Sequence, residues 1–219
     1  GPDAAGMASE LLRVNPAGLV CAGPACKGTP SVRAQGDKKS HRHDPESCWH
    51  SQITVCAPPQ FDGIVVVVTG GGGALGRAYA SEFAKRGASV VVSDIGAALS
   101  GSGSNRSVAD EVVQGLVAQG LKAVADHHNV VAEADKIIET ALQKFGGVHV
   151  VINNAGNLRD LAFRNMKEED FEAVLRVHLL GSFAVTKAAW RHFEKQRFGR
   201  VVMTTSAAGL YGAYGQVSP

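Results

Sequence analysis

The sequence predicts an α/β fold in which a parallel sheet carries helices on both faces, and three observations support it. Ile64-Val65-Val66-Val67-Val68 is an unbroken β-branched run with no one-sided alternation, the pattern of a strand buried on both faces. The four glycines Gly70 to Gly73 break it after Thr69, and Ala74 to Ala80 resumes as a helix with Leu75, Tyr79 and Phe83 on one stripe. Beyond that helix, strand-like and helix-like segments alternate, which calls for right-handed crossovers between parallel strands.

The first unit is strand, glycine turn, helix, strand. Gly71, Gly73 and Gly76 form a G-x-G-x-x-G pattern. The second strand, Ser89 to Ser93, runs into Asp94, 18 residues beyond Gly76. Glycines at such a turn let the backbone approach a pyrophosphate, and the helix start presents unpaired N–H groups and a positive dipole end. An acid at that distance suits a ribose hydroxyl pair.

The remaining elements come in order. A loop rich in Gly and Ser spans Gly96 to Asn105. Ser107-Val108-Ala109-Asp110 opens the next helix in the manner of a capping box, with Val108, Val112 and Leu116 on its apolar stripe. Gly120 ends that helix, and Leu121 to Ala125 forms the third strand. A helix with Ile137, Ile138, Ala141, Leu142 and Phe145 inward closes at Gly146-Gly147. Val148 to Ile152 is the fourth strand and leads into Asn153-Asn154-Ala155-Gly156. One long helix covers Glu168 to Lys195, with Phe171, Val174, Leu175 and His178 on one side. Arg200 to Thr204 is the fifth strand. The expected sheet is Rossmann-type and doubly wound, in the order 3-2-1-4-5.

Composition narrows the function classes. The 219 residues carry a formal charge of +2, with 19% charged and 45% hydrophobic residues, so no polyelectrolyte partner is implied. Basic residues form only short clusters such as Lys38-Lys39, which argues against nucleic-acid binding. No apolar run reaches the ~18 residues of a membrane span. Residues 1–60 mix Gly, Pro, Ser, Cys and His without periodicity and read as an irregular or disordered leader. All four cysteines (Cys21, Cys26, Cys48, Cys56) lie there, beside His41, His43 and His50, at spacings that match no zinc-knuckle pair, so no metal site is expected.

Several strings make residues 61–218 resemble the short-chain dehydrogenase/reductase family. They are Thr69-Gly70 with Gly76, Asp94-Ile95-Gly96, Asn153-Asn154-Ala155-Gly156-Asn157-Leu158-Arg159-Asp160, Arg176-Val177-His178-Leu179-Leu180-Gly181-Ser182-Phe183, and Thr204 to Gly212. The branch they resemble is the (3R)-hydroxyacyl-CoA dehydrogenase domain of peroxisomal multifunctional enzymes of type 2. That resemblance implies NAD as cofactor, a 3-hydroxyacyl-CoA substrate from fatty-acid β-oxidation, a homodimer in the complete protein and a peroxisomal location. It implies that Gly70, Gly73, Leu75 and Gly76 hold the pyrophosphate. Asp94 accepts the adenosine ribose hydroxyls, and Asn154, Ala155 and Gly156 line the cofactor. Ser206 bonds the substrate oxygen. His178 stands where most of the family places an active-site asparagine, and it joins Ser206 as a catalytic candidate.

Three departures accompany the resemblance. The family pattern T-G-x-x-x-G-x-G has glycine where this chain has Ala74, whose Cβ crowds the pyrophosphate unless Gly73 takes that role. The acid expected near the adenine falls within Asp126-His127-His128-Asn129, with Asp126 offset by about two residues. The Tyr-x-x-x-Lys pair is missing: the tyrosine is expected thirteen residues after Ser206, at Pro219, and neither Tyr211 nor Tyr214 has a lysine four residues on. Residues 61–219 therefore read as an incomplete NAD-binding domain, with the outer strands missing and little activity of its own. The second reading is a non-catalytic nucleotide-binding or dimerising protein that uses the Glu168–Lys195 helix.

Overall fold

The computed structural model describes residues 58–98, 100, 101, 103 and 105–216. Of the leader expected over residues 1–60, all but the last three lie outside the described residues, and the cysteine and histidine reading falls there with it. The described elements begin with strands β1 (Val65–Thr69) and β2 (Ser89–Ser93) and helix α1 (Ala74–Lys85) between them. Helix α2 (Ser107–Val117), strand β3 (Ala123–Asp126), helix α3 (Ala134–Phe145) and strand β4 (Val150–Asn153) come next. A short 3₁₀ turn (Phe163–Asn165) precedes helix α4 (Glu168–Leu175), a π-helical segment (Arg176–Gly181) and helix α5 (Ser182–Gln196). Strand β5 (Arg200–Met203) and helix α6 (Ala207–Tyr211) come last.

The five strands described are all parallel, in the order β3-β2-β1-β4-β5. This is the expected sheet. The β-branched run explains why β1 lies at its centre. Val66 and Val68 pack on one face with Tyr79, Phe83, Val112 and Leu116 from α1 and α2. Val65 and Val67 pack on the other with Ile137, Ile138, Val185 and Phe193 from α3 and α5. A strand with alternating polar residues could not satisfy both layers. β5 lies at the edge, with Val201 and Val202 half-buried and Met203 exposed.

Two local expectations change. The N-cap of α2 is Arg106 and Ser107 is its first residue, held by Asn105, whose Oδ1 accepts the Ser107 N–H at 3.2 Å and the Ser107 hydroxyl at 2.7 Å. The long helix from Glu168 is interrupted by the π-helical turn at Arg176–Gly181. A π turn inserts one residue and so rotates α5 about the helix axis relative to α4. Val174 stays buried while Phe171 and Leu175 become partly exposed.

At the opposite end of the sheet from the glycine turn, His149 closes the gap between β1 and β4. Its Nδ1 accepts the Val65 N–H at 3.0 Å, and its backbone N–H donates to the Val65 carbonyl at 2.9 Å. Burial holds the imidazole below its ordinary range, and only the neutral ring can accept that bond. An unfolded chain gains a proton at His149 near pH ~6.5, before the folded chain does. Stability is therefore full above that value and falls as pH drops toward the lower folded pKa. We expect His149→Asn, which keeps an acceptor, to flatten this acid slope in urea titrations between pH 7 and 5. His149→Ala should cost about 1–3 kcal/mol at pH 7.5 by leaving the Val65 N–H unpaired.

Candidate functional site

The carboxyl ends of β1, β2 and β4 open into a cavity of about 530 Å³, within the size range of small-molecule and cofactor sites. Its wall is made by Gly70, Gly73, Ala74, Leu75 and Gly76 from the glycine turn, Asp94 after β2, and Asn154, Ala155 and Gly156 after β4. All eight residues expected at a cofactor are thus brought to one cavity. It lies where the strand order reverses between β1 and β4, the place at which open α/β sheets accept ligands.

The glycine turn delivers the start of α1 to this cavity. Gly73 is the N-cap, and no side chain among the described residues caps the first turn. The N–H groups of Ala74, Leu75 and Gly76 precede the first intrahelical donor, Arg77 N–H, which bonds to the Gly73 carbonyl at 2.8 Å. Unpaired donors and the positive dipole end together favour an anion. Ala74 has ordinary helical backbone as the first residue of α1, so its Cβ imposes no strain on the turn.

Asp94 ties this turn to the chain that leaves β2. Its Oδ2 accepts the Gly72 N–H at 2.9 Å and its Oδ1 accepts the Gly96 N–H at 2.7 Å. Two ionised oxygens offer about four acceptor positions, so the carboxylate has room for two further donors. Asp126 differs. It is buried and accepts from the Ser93 hydroxyl at 3.0 Å, the His128 N–H at 3.1 Å, His128 Nδ1 at 2.8 Å and the Thr140 hydroxyl at 2.7 Å. Its acceptors are used within the fold, and His128 and Asn129 line the cavity in its place.

Asn154 joins the two turns. Its Nδ2 donates to the carbonyls of Thr69 and Gly70, each at 3.2 Å, while its backbone N–H donates to Thr69 Oγ1 at 3.0 Å. Gly156 is required for a different reason. The His178 ring lies against it, and a Cβ at Gly156 would sit 2.5 Å from His178 Cε1. His178 Nε2 lies 2.9 Å from the Asn157 carbonyl and 3.1 Å from the Asn157 N–H. The imidazole therefore stands behind the cavity wall and holds the turn that forms it. Ser206 caps α6, its Oγ accepting the Ala208 N–H at 3.2 Å, and is exposed beyond the end of β5. Asn157 and His128 lie within strings that the sequence singles out, but neither is expected on the cavity wall, because that depends on how distant segments pack around them.

This packing generates a paired test. Gly156→Ala should destabilise the chain by about 1–3 kcal/mol, the usual cost of overpacking. Adding His178→Ala removes the ring that the new methyl meets. The double variant should then be more stable than additivity of the single changes predicts, by roughly 1 kcal/mol in urea denaturation. Strict additivity would mean that ring and glycine do not touch.

Comparison with known proteins agrees with this geometry. The family model described as short chain dehydrogenase matches residues 64–218. The chain is 54% identical over 159 residues to a peroxisomal hydratase-dehydrogenase-epimerase of Neurospora crassa, covering 73% of this chain and 18% of that protein. It is 51% identical over 164 residues to peroxisomal multifunctional enzyme type 2 of Mus musculus, covering 75% of this chain and 22% of the relative. A 7 alpha-hydroxysteroid dehydrogenase solved with NADH and 7-oxo glycochenodeoxycholic acid superposes with a TM-score of 0.65 at 28% identity, over 73% of this chain and 59% of that one. The chain thus spans about a fifth of the length of these two curated relatives. With a match over most of its length, an uncapped helix start at the switch point and an acid after β2, the chain belongs to the short-chain dehydrogenase family.

Proposed function

We propose that this chain binds NAD at the switch-point cavity and is of the (3R)-hydroxyacyl-CoA dehydrogenase type, which oxidises a 3-hydroxyacyl thioester to the 3-ketoacyl thioester. The observation that carries the choice of cofactor is Asp94. A carboxylate on the cavity wall with acceptor capacity left over suits a ribose diol and repels a 2′-phosphate. The residues present fit the cofactor: an uncapped helix start for the pyrophosphate, Asp94 for the ribose, and Asn154, Ala155 and Gly156 opposite. NAD, when bound, supplies the hydride acceptor.

The chain's own groups do the rest. Ser206 spends a lone pair on the Ala208 N–H, so its hydroxyl proton is available to a substrate oxygen. His178 acts through the backbone of Asn157, fixing the cavity wall. The peroxisomal location is proposed from the two curated relatives, both of which are named as peroxisomal enzymes. The 3-hydroxyacyl-CoA substrate and a homodimeric assembly are proposed from the family resemblance. Among the described residues, no helix is long and apolar enough to cross a membrane.

Titration of NAD and NADP, monitored by calorimetry, tests the reading. NAD should bind at least about tenfold more tightly, a difference of ~1.4 kcal/mol. Asp94→Asn should narrow the gap, and equal affinity in the unaltered chain would refute the ribose role of Asp94. The 219 residues contain no tyrosine with a lysine four residues later, so the polypeptide lacks that route for the substrate hydroxyl proton. Loss of a general base typically costs ~10²–10⁴-fold in rate. NADH formation from a (3R)-hydroxyacyl-CoA by this polypeptide should therefore be negligible. Turnover at rates usual for a dehydrogenase would mean that another group accepts the proton.

A further inference from the structure

Asn157 comes directly after the Asn154-Ala155-Gly156 wall and lines the same cavity, yet it is only 5% exposed. Its backbone lies against His178 Nε2, which accepts the N–H or donates to the carbonyl according to the tautomer, and its Nδ2 donates to the Ala173 carbonyl of α4 at 3.2 Å. Its Oδ1 is buried and has no hydrogen-bond partner among the described residues. Rotating the amide would turn Oδ1 toward the Ala173 carbonyl, oxygen against oxygen, so the orientation is settled by that neighbour. The loop after β2 also reaches this residue. Gly101, itself on the cavity wall, packs so closely that a Cβ there would lie 2.8 Å from Asn157 Nδ2. Helix α4, the π-helical segment and the β2–α2 loop thus hold one amide in place and leave its oxygen without a donor.

Most buried acceptors in folded proteins are paired. Asn153 Oδ1 is also unpaired among the described residues, but of the two only Asn157 lines the cavity, where a ligand can bring the missing donor. Resting on the dinucleotide reading above, we propose that Asn157 Oδ1 accepts a hydrogen bond from the nicotinamide riboside half of the cofactor. On that reading Asp94 takes the adenosine ribose, and the turn after β4 stands on the other side of β1 from it, where the remaining half of the ligand would lie. Asn157 is then a binding residue that senses whether the ligand is a complete dinucleotide.

The test compares ADP, ADP-ribose and NAD on the unaltered chain and on Asn157→Leu, by calorimetry. The substitution should weaken NAD roughly tenfold, the loss of one good hydrogen bond, and leave ADP unchanged. A parallel loss on ADP-ribose places the donor on the ribose, and a loss confined to NAD places it on the carboxamide. Equal weakening of ADP and NAD, or no weakening of either, would overturn the proposal, because a merely structural Asn157 acts on both alike. If the unaltered chain binds none of the three, the dinucleotide reading itself fails, and this proposal with it. Should Asn157→Leu not fold, the side-chain amide resonance of Asn157 in the unaltered chain decides. A shift with NAD and not with ADP supports the proposal, and any other pattern sinks it.

Discussion

The buried hydroxyl of Thr69 is the point on which the site depends. It donates to the Ile152 carbonyl at 3.3 Å and accepts the N–H groups of Asn154 and Ala155 at 3.0 and 3.1 Å. One oxygen thereby fastens the end of β1 to the turn after β4. The strand order reverses across this seam, with one crossover to β2 on one side and another to β4 on the other. Without the clasp, two turns with unpaired backbone groups would face each other across an open gap, each orphan costing about 1–3 kcal/mol. With it, the glycine turn and the β4 turn become opposite walls of a single cavity.

Two carboxylates at neighbouring strand ends show how environment divides labour between identical groups. Asp126 pairs in register with Ser93, one residue before Asp94. The pleat sends successive side chains to opposite faces, so the two acids do not share a destination. Asp126 turns inward, where Ser93, His128 and Thr140 supply its donors. Asp94 sits at the rim, takes one backbone N–H on each oxygen and keeps capacity for a ligand. The buried acid orders the β3 turn that brings His128 and Asn129 to the wall, and the rim acid orders the glycine turn.

The π-helical segment has a comparable effect at longer range. It changes the phase of the helix between α4 and α5, and the ring of His178 comes to lie on Gly156. Gly181 ends that segment against Val130, which also lines the cavity, so the segment packs against chain leading from both β3 and β4. The wall after β4 is therefore supported from behind by side chains that need never touch a ligand.

The amino-acid sequence by itself determined the strands, their order and the two turns and the acid that frame the cavity. Those are local or periodic properties. A β-branched run has to be buried on both faces, a glycine cluster cannot continue a strand, and an acid at the end of β2 emerges from counting residues. Only tertiary structure decided which polar atoms are already used. Asp126 and Asp94 read alike as strand-end acids, and their difference lies in the number of donors that reach them: Ser93, His128 and Thr140 converge on Asp126, whereas Asp94 takes only the Gly72 and Gly96 N–H groups. His178 reads as part of a continuous helix, and a π turn places it behind Gly156. Asn157 reads as one residue of the string after β4, and its orphan oxygen exists only because Ala173, His178 and Gly101 converge on it. Pattern reaches the backbone because its forces repeat along the chain, whereas the pairing of a hydrogen bond depends on what distant segments bring to the same place.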